Sequence, residues 1–409
     1  MLQKWIINKT PVYFEQTSSL PIIDIQINFK AGSIYDNEKV GLSDLAVGLF
    51  ATETHISSED ELINKTTDIG ICIDAHANKE FFSIKIRLLS DPEIIQKTID
   101  ILKEIFLEPK FSTKILEREK AQTITHINYV QQQSNYLASL EFSKLLFKDN
   151  PYAQPTLGYK ETVEKIAIKD IKSFFQKYIC TSNMNLCIVG NINDTEANKL
   201  SEEIISALPE GQKNTQSFIQ KPVKKELLKK QFQSKQTTIL MGHQLLIPID
   251  SPLYFPLKVG NEILGGGGLN SKLFNKVREE LGLVYHVGSS LNISPDYGSF
   301  IISAQTSNYK LALDTINDVY LDFINNEIDK ETLQNTKNHI EGTHLIGSVK
   351  NSSKLNMLST IANKELTLDF FKTYVDKVNL VNSKDIYNAF KQVQENEMIT
   401  VMVGDFSEN

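Results

Sequence analysis

Two stretches of this chain repeat one pattern, and the repeat limits the possible folds more than any other feature. Residues Val163 to Phe175 followed by Asn183 to Gly190 match Val375 to Phe390 followed by Glu397 to Gly404. Each copy reads as a helix capped at its start, a gap, and an apolar strand that ends in Val-Gly, at Val189-Gly190 and again at Val403-Gly404. A chain of 409 residues is also longer than one core ordinarily supports. The repeat therefore predicts two copies of one fold, residues 1–212 and 236–409. Residues 213–235, part of a Lys- and Gln-rich run with few large apolar side chains, are expected to link them.

Within each half, segments of period two alternate with amphipathic helices. Phe81 to Leu89 and Ser299 to Gln305 read as strands. Pro92 to Leu107 presents Ile94, Ile95, Ile99, Ile101, Leu102, Ile105 and Phe106 on a broad apolar face behind a first-turn proline. Ser112 or Thr113 can cap the next helix, which should continue past Tyr129. The expected class is α+β: two homologous α/β-sandwich domains, each a mostly antiparallel sheet with helices packed on one face.

Composition removes several classes of function. A formal charge of −7 gives no general attraction for nucleic acid or anionic membrane, so neither is expected as a partner. No apolar run is long enough for a membrane span. Residues Met1 to Thr10 lack the apolar core and cleavage site of a signal peptide, so the chain as written reads as cytoplasmic. Its start lies so close to the first strand that a trimmed signal peptide, and hence the periplasm, fits as well. Cys72 and Cys187 lie in apolar runs and read as buried strand positions, and no disulfide between Cys180 and Cys187 is expected.

Residues 24–54 read as a strand, a turn and a helix: Asp24 to Phe29, then Lys30-Ala31-Gly32-Ser33, then Gly41-Leu42-Ser43 leading into the helix. This segment closely resembles the zinc-binding segment of the pitrilysin/insulinase-like peptidases. In that family the helix carries His-x-x-Glu-His, two metal ligands and the glutamate that activates water. The three positions here hold Asp44, Val47 and Gly48. Valine takes no proton and glycine offers no ligand, so base and ligand are both removed. The third ligand of the family is a glutamate on a later helix with a Glu-Arg-Glu stretch. Counting from Glu117-Arg118-Glu119 places that position at or next to His126. The loss thus falls on two separate helices. A replacement metal site from Asp44, His126 and His76 is the rival reading, but no metal is expected in this chain. The other histidines do not help. His339 and His344 are five apart, about 140° around a helix.

The second informative segment starts at Gly265, Gly266, Gly267 and Gly268 and runs through Ser271, Leu273, Phe274, Val277, Arg278, Glu279, Gly282, Leu283 and Tyr285. Neither a phosphate-binding loop nor a dinucleotide fingerprint is present. The ordered pattern resembles the second-domain signature of the same family, where an Arg and a Tyr seven residues apart help hold the bound peptide. Arg278 and Tyr285 match that pair, and the resemblance implies a substrate-binding role for them and for the four glycines. Arginine offers a fixed fork of donors to carbonyls and carboxylates, and a phenol can donate to a carbonyl. Alternatively, Arg278 pairs with Glu279 or Glu280 on a helix surface and Tyr285 packs on the sheet.

The resemblance spans nearly the whole chain. It implies a non-catalytic subunit that pairs with a homologous zinc-bearing chain as a heterodimer, completes its peptide-degrading chamber, and contributes Arg278 and Tyr285 to holding unfolded peptides. Zinc is expected in that partner and not here, and the chain alone is expected not to be an enzyme. In the family, peptides add to a sheet edge; Ile73-Asp74-Ala75-His76-Ala77 occupies the matching place. An inactive scaffold subunit and a free-standing peptide-binding homodimer are the rival readings.

Overall fold

The computed structural model describes residues 2–293, 297–394 and 398–407. Glu397 of the second repeat copy lies outside the described residues. The first half opens with strands β1 (Leu2–Ile7), β2 (Thr10–Gln16) and β3 (Ile22–Phe29), then helices α1 (Leu42–Leu49) and α2 (Glu59–Asp68). Strands β4 (Cys72–Ala77) and β5 (Phe82–Leu89) precede helices α3 (Pro92–Leu107), α4 (Thr113–Val130), α5 (Ser134–Leu146), α6 (Lys160–Val163) and α7 (Ile168–Tyr178). Strand β6 (Met184–Gly190) and helix α8 (Asp194–Ser206) close it.

The second half follows the same plan. It runs through β7 (Glu226–Gln231), β8 (Thr237–Gln244), α9 (Tyr254–Asn261), β9 (Val284–Ile293) and β10 (Gly298–Thr306). Helices α10 (Tyr309–Asn325), α11 (Lys330–Gly347), α12 (Asn351–Asn363), α13 (Tyr374–Leu380) and α14 (Ser383–Gln394) lead to β11 (Ile399–Gly404).

Both sheets are built alike. Their orders are β1-β2-β6-β3-β5-β4 and β7-β11-β8-β10-β9. In each, the last strand of the repeat enters the middle, parallel to one neighbour (β2, β7) and antiparallel to the other (β3, β8). The remaining pairings are antiparallel. The repeated Val-Gly ending has a steric cause. A Cβ on Gly190 would lie 2.7 Å from the Ile23 Cα, and one on Gly404 would lie 2.7 Å from the Thr237 Cα. Only glycine permits that approach of the neighbouring strand. The start of the last repeat helix is also shared: Asp170 accepts from the Ala167 N–H at 2.8 Å, and Asp385 accepts from the Asn382 N–H at 2.9 Å.

The two compact units do not follow sequence order. One comprises residues 1–128, 154–216 and 346–371; the other comprises 129–153, 217–345 and 372–409. A division at 213–235 leaves α5 and α12 on the wrong side, because the halves exchange these equivalent helices. Helix α12 packs on β6, β3 and β2 of the first sheet, and α5 on β11 and β8 of the second.

The first unit shows why a covering helix is needed. One face of its sheet is uniformly apolar, with Ile23, Ile25, Ile27, Phe29, Ile84, Ile86 and Ile188 all buried. The alternate positions are mixed: Asp24, Gln26, Asn28, Ser83 and Asn185 stand beside Cys187 and Val189. Leu355, Leu358, Ile361 and Ala362 of α12 bury Tyr13, Cys187 and Val189. Ser359 then accepts from Gln26 at 3.0 Å, Asn28 at 3.1 Å and Asn363 at 3.2 Å. A polar face can be buried only when its amides find such partners.

Two sequence expectations change. The 213–235 linker contains β7, which pairs in parallel with β11. Its polar reading arises because it is an edge strand, largely exposed, where lysines guard an open edge. Cys72 is exposed, since β4 is also an edge strand; Cys180 and Cys187 are buried, and all three thiols are free.

Candidate functional site

In the first unit, a tight turn delivers the chain from β3 to α1. Gly32 is required there, because a Cβ would sit 2.4 Å from the Lys79 carbonyl oxygen. Gly41, at φ 99°, supplies the left-handed residue before the helix. Asp36 fastens this entry, accepting from the Gly41 and Ser43 N–H groups, each at 3.0 Å, and from the Ser43 hydroxyl at 3.2 Å. Burial outweighs those bonds and pushes its pKa up to about 8. Lys79, which donates to the Gln154 carbonyl, is pulled down to about 8, also by burial.

Helix α1 buries Ser43, Leu45, Ala46 and Leu49. Asp44, Val47 and Gly48 remain partly accessible. Asp44 is raised to about 6 by desolvation, opposed by the nearby His126 of α4. The structure therefore brings these two expected site positions together.

Gly48 has a different neighbour. A Cβ there would meet the Glu119 carboxylate, 2.5 Å from Oε2 and 2.9 Å from Cδ. The room a metal ligand would need is filled. Glu119 is held in turn by Arg118 at 2.9 Å, and Arg118 grips both Glu59 oxygens at 2.8 Å. Among the described residues no group of three or more His, Cys, Asp or Glu is placed to hold a metal ion. His76, on β4, joins Asp44 and His126 in no such group. The glycine itself was visible in the sequence, and so was Glu-Arg-Glu. Their packing against each other was not, because seventy-odd residues separate them and no spacing rule connects the two.

In the second unit, α9 continues into a π turn over Glu262–Gly266, closed by the Gly267 N–H donating to the Glu262 carbonyl at 2.9 Å. A Cβ on Gly265 would lie 2.5 Å from the Ser289 nitrogen of β9, one on Gly266 2.5 Å from Asn261 Nδ2, and one on Gly267 2.6 Å from the Glu262 oxygen. Gly268 instead needs its positive φ of 59°. Gly265 is buried, whereas Gly266 and Gly268 are exposed. A second π segment, Phe274–Glu280, carries Arg278.

Arg278 and Tyr285 come together. The Arg278 Cζ stands 5.0 Å from the Phe274 ring centroid and 5.8 Å from that of Tyr285. Among the described residues no carboxylate lies within ion-pair distance of Arg278; Glu280 pairs with Lys276 at 2.6 Å instead. Tyr285 is 70% exposed on β9, the outer strand of its sheet. The rival picture, Arg278 tied to Glu279 or Glu280 and Tyr285 packed on the sheet, does not describe this surface. A guanidinium braced on two rings keeps its donors free for a carbonyl or carboxylate.

A repeated α+β chain whose first half carries this strand–turn–helix and whose second half carries this glycine turn has the build of a metallopeptidase homologue. Residues 12–160 match the model for insulinase (peptidase family M16), and residues 165–340 match the model for the peptidase M16 inactive domain. The chain belongs to peptidase family M16.

Among its relatives is the non-peptidase homolog YmxG of Helicobacter pylori, 24% identical over 97% of this chain and 91% of that protein. An uncharacterized zinc protease of Rickettsia felis is 27% identical over 73% of this chain and 72% of its own. The crystal structure of a peptidase M16 inactive domain from Pseudomonas fluorescens superimposes with a TM-score of 0.94 at 24% identity, covering 99% of this chain and 98% of that one. Among the described residues no helix is long and apolar enough to cross a membrane.

Proposed function

We propose that this chain is the non-catalytic subunit of a heterodimeric zinc metallopeptidase, completing the peptide chamber of a homologous zinc-bearing partner. In this reading Arg278 and Tyr285 hold unfolded peptides against the partner's metal site, and the glycine turn at 265–268 lets the peptide approach. One observation carries the proposal: Arg278 is braced by Phe274 and Tyr285 with no carboxylate within ion-pair distance among the described residues, while Tyr285 is exposed. A residue kept only for packing would bury its ring or neutralise its charge. By contrast, the α1 region offers neither base nor ligand at Val47 and Gly48, which leaves zinc chemistry to the partner.

The experiment is peptide hydrolysis by this protein alone, by a zinc-bearing homologue alone and by the one-to-one mixture, with native mass of the mixture. Turnover confined to the mixture supports the accessory-subunit reading. Assembly without added turnover supports an inactive scaffold instead, a homodimer that binds peptide without partner supports the free-standing binder, and zinc-dependent turnover by this chain alone refutes all three.

A further inference from the structure

The two sheets differ at one edge. Strand β2 runs parallel to β6, and its other side is covered by β1, antiparallel, with Trp5 opposite Val12 and Gln3 opposite Phe14. Strand β7 holds the same place beside β11, for Gln231 pairs with Gly404 as Gln16 pairs with Gly190. Among the described residues no strand takes the part of β1 on its outer side, where the second sheet ends.

The backbone there is open. The Phe232 N–H donates to the Gly404 carbonyl at 2.9 Å, so alternation along the strand turns the N–H and C=O groups of Leu227, Lys229 and Gln231 outward. Two lysines of the strand are anchored elsewhere. Glu141 of α5 holds the Lys230 ammonium at 2.8 Å, and the Lys229 ammonium lies 5.1 Å from the Tyr309 ring centroid and 5.8 Å from that of Phe406. Leu227 is 59% exposed.

Charge narrows the occupant. Lys224, Lys225, Lys229 and Lys235 are exposed on or beside β7, and Glu226 is the one carboxylate within the strand. Two β7 strands side by side would set lysine against lysine, which disfavours a second copy of this chain. The residues outside the described ones come in runs of three or fewer, too short to cover β7. An acidic strand from another polypeptide suits both the open backbone and the charge.

We propose that β7 is a docking edge for an extended, acidic segment of a partner protein, which adds antiparallel as β1 does on β2. Backbone bonds to Leu227, Lys229 and Gln231 hold it, and its carboxylates pair with the flanking lysines. The proposal is independent of the accessory-subunit reading, which concerns β9 at the opposite edge of this sheet.

The test adds to the full chain a labelled peptide of alternating glutamate and valine, as long as β7, and separately its lysine–valine counterpart. Binding is read by fluorescence anisotropy and by amide hydrogen exchange at single residues. The acidic peptide should bind about tenfold or more tightly and slow exchange at Leu227, Lys229 and Gln231 by a similar factor, with little change at Leu228 and Lys230, whose amides face β11. Lys229→Pro deletes one outward N–H without touching the ladder to β11 and should abolish binding, whereas Lys229→Ala should keep most of it. Should Lys229→Pro fail to fold, the exchange pattern on the native chain still decides. Equal affinity for both peptides, no binding at millimolar concentration, or protection away from β7 overturns the proposal.

Discussion

The β3–α1–β4 segment of the first unit and the β8–α9–β9 segment of the second occupy equivalent places in the repeat, yet they treat polar side chains in opposite ways. In the first, the position that would hold a metal ligand is a glycine with a glutamate pressed into the vacant room, and Asp44 is partly desolvated. In the second, Gly265 and Gly267 are taken up by close backbone packing, while Arg278 and Tyr285 are presented outward. The contrast teaches that a helix can outlast its chemistry. Leu45, Ala46 and Leu49 keep α1 in place for the core, whatever the other face carries.

The largest expected effect sharpens the second side of this contrast. Arg278→Ala should lower peptide turnover by the mixed pair about 100-fold without changing the native mass of the pair, as expected when a positioning contact is lost. Unchanged turnover would reduce Arg278 to a surface residue. Next comes the first side. Gly48→His should cost about 1–3 kcal/mol in urea melts, because the new side chain meets Glu119, and adding Glu119→Ala should recover much of that loss. If the single change is neutral, the glutamate does not close the gap.

Much of the fold is legible in the sequence. The Pro92 to Leu107 helix, the strands at Phe81 to Leu89 and Ser299 to Gln305, and the Val-Gly repeat depend on local periodicity, and each forms as read. The helix exchange was not legible, because α5 and α12 differ from other amphipathic helices only in which distant sheet receives them. The strand β7 was hidden by its edge position, where lysine serves better than valine. At the sites, Asp44, Val47, Gly48 and His126 came from counting along the sequence. The Glu119 plug could not be found that way, since it depends on the depth of a side chain on another helix.

Two smaller effects concern the first unit alone. Asp44 titrates near 3.8 when unfolded and at about 6 when folded, so the folded state binds its proton more tightly. Its burden on stability is absent below the unfolded pKa and grows as pH rises through about 6. Asp44→Asn should therefore stabilise the protein by about 1 kcal/mol at pH 7, after discounting for partial exposure, and by almost nothing at about pH 3. Stabilisation that is equal at both pH values would remove desolvation as the cause. Finally, Ser359→Ala takes away an acceptor shared by Gln26, Asn28 and Asn363, two of which keep another oxygen partner. A loss of about 1 kcal/mol in chemical denaturation is expected, and no loss would mean that solvent reaches those amides.

The exchange of α5 and α12 sets a timetable for the newborn chain. When β6 has left the ribosome, every strand of the first sheet exists, but the helix that covers its mixed face is still more than a hundred residues from being made. At ordinary elongation rates that gap lasts on the order of ten to thirty seconds. Tyr13, Cys187 and Val189 must wait uncovered through it, and α5 must wait for β8 and β11 to arrive. The two halves consequently mature together at the end of synthesis, and a chain cut short before residue 351 leaves neither half whole.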